Sequence, residues 1–194
     1  MSEVDRNSDP IVVALGRQVR YHRTKARFTL SDLAELSGVS RAMLSKVERG
    51  EKSPTLAIIA RIASGLSVSL SELMGAERIP SDVSLISLSQ QIAFRDPETG
   101  FQRQVLSPPH VGKGVEFLVH RIPPKQSSGV LFAYKVPTEK YLVVTNGTLT
   151  VEIEETRHVI HKGDSFYFEV KSPYRFINEG SDGCEYYLVI VKSK

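Results

Sequence analysis

Ten lysines and arginines stand between Gly16 and Arg61, against four acidic residues. So dense a surplus of cations is the footprint of a surface that meets a polyanion. The rest of the chain offers other chemistry, but scattered. His158 and His161 lie three apart on a predicted strand, so their side chains face opposite sides. His110 and His120 fall in or near separate early strands. A transition-metal site needs convergent N, O or S donors, and these spacings supply none. Each histidine is expected to be a surface or internally bonded side chain. Cys184 is the single cysteine, so there is no internal disulfide; it is expected to be a small buried residue on the last strand.

The elements that must position these residues change character near the middle of the chain. The first 75 residues read as five short helices. "SDPIVVALGRQVRYHRTK" opens with Asp9 as N-cap and Pro10 at the first helical position. In "FTLSDLAELSG", Thr29 and Asp32 form a capping box and Gly38 is the stop. "VSRAMLSKVERG" restarts at Ser40, "SPTLAIIARIASGL" starts near Thr55, and "SLSELM" carries a second box at Ser69 and Glu72. Residues 76–83 read as a linker. Beyond it the period is that of strands: "FQRQVLS", "GVEFLVHRI", "GVLFAYKV", "KYLVVTNGTLTVEIEE", "RHVIHKGDSFYFEV", "YRFINEG" and "CEYYLVIV". Asn146-Gly147 between two such runs predicts a hairpin. Many short strands imply a sandwich or barrel. The expected architecture is α + β in two domains, residues 1–75 and 84–194.

Charge divides at the same place. Up to Gly75 there are eleven basic and eight acidic residues; from Ala76 onward there are fourteen of each. All of the net +3 therefore belongs to the helical part. No apolar run approaches the roughly 18 residues of a membrane span, and the polar, acidic N-terminus is no signal peptide. A cytoplasmic protein without membrane contact is expected.

The sequence of apolar positions, glycine turn and stop in "TLSDLAELSGVS", "LSKVERGEKSPTL" and "IASGLSVSLSEL" resembles the helix-turn-helix of the lambda-repressor-like (XRE) family, over about residues 10–75. That resemblance implies double-stranded DNA as partner, read by a homodimer on a palindromic operator. The physics of the second helix agrees. Ala34, Val39, Leu44 and Val47 are apolar and should lock the helix pair, leaving Arg41, Ala42, Ser45 and Lys46 on its open face. Arg41 or Lys46 could donate to guanine, and Ala42 could touch a thymine methyl. Thr29 and Ser40, at helix starts, would hold phosphate through N-terminal amides. Arg49 and Lys52 are further phosphate candidates. Arg17, Arg20 and Arg23 are weaker ones, because their spacing of three equally suits a solvated face.

From about Ser107 onward the chain resembles a cupin, a double-sheet barrel. The marks are Gly147 after "KYLVVTN", the Gly163-Asp164 turn, Pro173 and Asn178. Metal-binding members of that family carry two histidines and a glutamate on the first motif and a histidine on the second. Here those positions hold Tyr134, Val136, Lys140 and Tyr174. No metal and no other cofactor is expected. If these positions face the interior, Phe132, Leu142 and Phe176 would wall them by alternation. Lys140 inside a barrel is costly unless its charge is matched. The four residues are therefore read as a site for a small anionic effector, a carboxylate or an amino acid. The alternative is a barrel whose interior is simply filled, with Lys140 reaching solvent or a salt bridge. The whole reads as a dimeric transcription regulator and non-enzyme, with repression as the expected sign. The alternatives are a cupin enzyme, such as a metal-independent isomerase with Lys140 as base, and a protein-binding helical domain of the antitoxin kind.

Overall fold

The computed structural model describes residues 10–75, 83–107, 114–134 and 136–193. Asp9, most of the expected linker and His110 lie outside them. Five helices appear where the caps placed them: α1 (Pro10–Lys25), α2 (Leu30–Ser37), α3 (Arg41–Glu48), α4 (Leu56–Leu66) and α5 (Leu70–Leu73). Thr29 and Ser69 form capping boxes with Asp32 and Glu72, and Ser40 and Thr55 cap α3 and α4. Gly38 ends α2 at φ 65, a left-handed conformation that glycine adopts without strain, so that α3 turns back across α2. Leu15, Val19, Leu33, Val39, Leu44, Val47, Ile59 and Ile62 form the buried centre. Ile11, four residues before Leu15 and so on the same helical face, is nevertheless 51% exposed in the first turn of α1.

Two contacts fix α1 on α3. A Cβ at Gly16 would lie 2.3 Å from the Val47 carbonyl oxygen, so only glycine permits the approach. Arg23 donates from Nε and Nη2 to the two oxygens of Glu48 at 2.6 and 2.9 Å, and from Nη1 to the Phe28 carbonyl at 2.8 Å. Arg23 is thus a partly buried tie between helices and not part of a solvated face.

The second domain has two antiparallel sheets. The strands are β1 (Ala93–Arg95), β2 (Gln102–Val105), β3 (Val115–Ile122), β4 (Gln126–Ser127), β5 (Thr138–Asn146), β6 (Thr148–Ile153), β7 (Thr156–His161), β8 (Ser165–Glu169), β9 (Tyr174–Asn178) and β10 (Cys184–Lys192). One sheet runs β1-β2-β3-β10-β5-β8 and the other β4-β9-β6-β7. Leu118, Leu142, Leu149, Val151, Phe168, Phe176, Tyr186 and Leu188 fill the space between them, and Cys184 is buried at the start of β10.

Two sequence expectations fail. Asn146-Gly147 is not a hairpin: both edges of β5 are taken, by β10 and β8, so the chain cannot fold back on it. Instead Gly147, at φ 75, carries the chain into the other sheet, passing so close to Gly183 that a Cβ would lie 2.7 Å from its carbonyl oxygen. The neighbouring hairpin is β6–β7, turning at Glu154 and Glu155. "GVLFAYKV" does not form the expected strand: among its described residues only Leu131 bridges, to Tyr174, and residues 131–134 border the mouth of the barrel.

The helical domain is seated on that mouth. Asp96, 2% exposed in the β1–β2 turn, accepts the Leu56 amide at the start of α4 (2.7 Å) and the amides of Glu98 and Thr99 (2.9 and 3.1 Å). Ser71 of α5, fully buried, donates to Glu116 and accepts from Arg103 Nη2 at 3.1 Å.

Candidate functional site

The face of α3 opposite the buried Leu44 and Val47 carries Arg41, Ala42 and Lys46, all exposed. Ser45, at its edge, is half-buried and receives Arg49 Nη1. Arg49 also donates to Glu51 at 2.5 and 2.8 Å, which holds its guanidinium above the usual arginine range. Both partners are about half exposed, and such a pair is weak enough to exchange for a phosphate. Lys52 is exposed beside it.

The two helix starts differ. At Thr29 the Asp32 carboxylate accepts the Thr29 amide at 2.7 Å and its hydroxyl at 2.8 Å, placing a negative charge where a phosphate would sit. Those hydrogen bonds hold the Asp32 carboxyl below the usual carboxylate range. Ser40 caps Met43 at 3.3 Å with no acid in the first turn of α3. The start of α3 therefore suits an anion better than the start of α2.

A second site lies between the domains. A cavity of about 370 Å³ is roofed by Leu36, Ala60, Arg61 and Leu70 of α2, α4 and α5 and floored by Arg103, His120, Lys140 and Tyr174 of the barrel. Lys140 is 2% exposed and points inward, opposite to its neighbour Tyr141. Its ammonium meets rings: Tyr174 at 4.6 Å, Phe176 at 5.5 Å and Tyr134 at 5.7 Å from the centroids. Among the described residues it meets no hydrogen-bond acceptor. Burial, with Arg103 and Lys192 adding repulsion and Glu116 opposing them, holds Lys140 well below the usual lysine range. The Tyr134 and Tyr174 hydroxyls interact with each other, and burial raises both, so they stay neutral.

Beside Lys140 runs a closed polar network. Arg103 donates from Nη2 to Glu116 at 2.9 Å and from Nη1 to His120 Nε2 at 3.2 Å. Because arginine only donates, His120 Nε2 must accept, which places its proton on Nδ1, facing Tyr186 Oη at 3.0 Å. Burial, then Arg103 and Lys140, keep His120 neutral far below its usual range. Burial alone would raise Glu116, but Arg103, Lys192 at 3.1 Å and Ser71 together hold it ionised. Arg103 Nε is buried without a partner among the described residues.

The structure thus brings Tyr134, Lys140 and Tyr174 together. Val136 is a correction: it is 43% exposed and does not line the cavity, because it precedes β5 and no ladder enforces alternation there. Phe132 touches the cavity but is 51% exposed at its rim, whereas Leu142 and Phe176 lie in the core. His158 is half-buried against Phe166 and His161 is exposed. Arg103, Glu116 and His120 went unread as a group. Their signal was available: Arg103 lies between Phe101 and Val105, and Glu116 and His120 alternate with Leu118 and Ile122, all on inward faces. Ser71 left no such signal.

A metal does not fit this interior. Where metal-binding cupins place a glutamate, Lys140 supplies a cation, and both nitrogens of His120 are engaged. Among the described residues no group of three or more His, Cys, Asp or Glu converges.

Comparison with known proteins agrees with this geometry. A helix-turn-helix family model matches residues 19–73 and a cupin domain model matches residues 118–191. SutR of Escherichia coli, an HTH-type transcriptional regulator, is 46% identical over 57 residues, covering 29% of this chain and 32% of that protein. YazB of Bacillus subtilis, an uncharacterised HTH-type transcriptional regulator, is 35% identical over 63 residues, 32% of this chain and 91% of its own. The chain spans less than half the length of SutR and of SlrR from Bacillus subtilis, at 32% and 42%. A crystal structure of an HTH_3 family transcriptional regulator from Vibrio cholerae shares the fold across both domains, with TM-score 0.79 and 24% identity over 95% of this chain and 98% of the other. The chain belongs to the helix-turn-helix transcriptional regulators of the XRE type, with a C-terminal cupin domain. No described helix is long and apolar enough to cross a membrane.

Proposed function

We propose that this protein is a sequence-specific DNA-binding regulator and repressor. In this reading it acts as a homodimer on a palindromic operator, performs no catalysis, and takes a small organic anion as effector through Tyr134, Lys140 and Tyr174. The observation that carries it is the exposed face of α3. Arg41 and Ala42 open the helix, Lys46 follows a turn later, and the opposite face is sealed in the core. A recognition helix entering the major groove presents its N-terminal residues to base edges. Ser40, Arg49 and Lys52 stand beside it as phosphate contacts, with Ser45 supporting Arg49, whereas Thr29 is disfavoured by the Asp32 carboxylate that already takes its amide and hydroxyl.

One such domain makes a small interface, so two copies are needed for an operator. The outer face of the six-stranded sheet supports self-association. Phe117, Tyr141, Val143 and Tyr167 are 38–47% exposed there, joined across β3, β10, β5 and β8.

Binding of a random-sequence duplex pool, followed by fluorescence anisotropy across salt, tests the proposal. Log affinity should fall linearly with log salt, with a slope of about −0.9 per phosphate contact. Arg41→Ala should relax base preference at a cost of about 1–3 kcal/mol, and Arg49→Ala should weaken all sequences alike. Salt-independent binding, or neutrality of both variants, would refute the assignment.

A further inference from the structure

We propose that the cavity between the helical domain and the barrel mouth is the site of a small aliphatic carboxylate lacking an ammonium group, and that this ligand touches both domains at once. The inference rests on the effector reading above and narrows it.

The charges around the floor fix the valence. Glu116 is consumed: one oxygen accepts Arg103 and Ser71, the other accepts Lys192. That single carboxylate is shared by Arg103 and by Lys192, which does not line the cavity, and His120 is neutral. Lys140 remains the one cation on the floor without a counter-charge among the described residues. A single negative charge placed beside Lys140 would supply the counter-charge that its buried ammonium lacks and so favour its protonated form. The neutral Tyr134 and Tyr174 hydroxyls beside it can each donate to an oxyanion. A phosphate dianion would need a second free cation at the same point; the other cation of the lining, Arg61, stands across the cavity in the roof and donates to the Gly38 carbonyl at 3.3 Å.

The lining also fixes what else the ligand carries. Among the described lining residues there is no aspartate or glutamate. An amino acid would bring an ammonium next to its carboxylate, with no acid to meet it and Lys140 to repel it. Above the floor the walls are Leu36, Leu56, Ala60, Leu70 and Leu131, which suit a hydrocarbon body. The volume falls in the range of roughly 300–1,000 Å³ found for small-molecule sites.

The roof gives the inference its second part. Ala60 and Ser64 lie one turn apart on α4, both against the cavity, while Lys140 belongs to β5. A carboxylate held at Lys140 with its carbons upward rests on the DNA-reading domain. Such a ligand binds the docked arrangement better than any undocked one, which is the differential affinity that a regulator requires.

Titration calorimetry of the full chain with 4-methylpentanoate and with leucine tests this. The two share a side chain and differ in the ammonium. The acid should bind at least tenfold more tightly than leucine. Lys140→Met should abolish binding, and two independent roof substitutions, Ala60→Phe and Ser64→Leu, should each weaken it tenfold or more in protein whose melting remains cooperative. If binding needs Lys140 but ignores both roof variants, the ligand sits in the barrel alone; the two-domain site is then wrong and the anionic effector stands. Equal binding of leucine would overturn the ligand class. If butyrate, 4-methylpentanoate and benzoate all fail to bind at millimolar concentration, the effector reading falls with it.

Discussion

A lysine sealed beneath two tyrosines and a phenylalanine loses most of its hydration and regains only ring contacts. Its protonated form is correspondingly disfavoured in the fold. Between that lowered value and the ordinary lysine value of 10.5 the unfolded chain binds the extra proton, so stability should rise with pH through the window. Lys140→Met should remove this slope and, near neutrality, raise stability by about 1–4 kcal/mol, as replacing buried charge by packed hydrocarbon can do. Unchanged melting in the variant would mean that Lys140 reaches water. His120 works in the same direction lower on the scale. The fold holds it neutral well below 6.5, where the unfolded chain takes up a proton, so stability should fall as pH drops below 6.5. His22, also lowered by burial, adds a smaller share with the same sign. Melting temperatures between pH 7 and 5 should show a flatter dependence in His120→Gln than in the wild type. Equal slopes would contradict the assignment of His120 as neutral in the fold.

At the scale of elements, local rules carried the helices and only part of the sheets. Caps at Thr29, Ser40, Thr55 and Ser69 act within four residues, so the sequence around them contains the whole cause. Asn146-Gly147 is also a local signal, but a hairpin needs a free strand edge, and β5 has none because β10 returns from 40 residues later to take it. The site was legible in the same measure. Lys140, Tyr134 and Tyr174 follow from motif positions, whereas Ser71 and Asp96 matter only because one domain docks on the other. Two predictions belong here. Gly16→Ala drives a methyl into the Val47 carbonyl and should cost about 1–3 kcal/mol, measured by urea denaturation. Asp96→Ala leaves the Leu56 amide without its acceptor and should cost about 1–3 kcal/mol by the same measure. Loss of a few tenths in either case would show that the contact yields more easily than its geometry suggests.

For the whole molecule, the two domains divide the charge as they divide the work. The helical domain keeps the net +3 and the α3 face, while the second part of the chain is neutral overall and buries Arg103 and Lys140 near Glu116. Coupling between them is reciprocal: if a carboxylate changes DNA affinity by some factor, DNA must change carboxylate affinity by the same factor. In the proposed homodimer, the pairing of the two copies would set the geometry that both depend on. Tyr141→Glu, on the outer sheet face, should yield a monomer by analytical ultracentrifugation and lose affinity for paired half-sites. A variant that stays dimeric would move the interface elsewhere. The most direct test of the account is selection of bound sequences from a random duplex pool by the purified protein. The account predicts an enriched two-fold-symmetric motif with half-site centres about 10 base pairs, or a multiple, apart, with base preference relaxed in Arg41→Ala. Failure to enrich any sequence, or enrichment unaffected by Arg41→Ala, would contradict it.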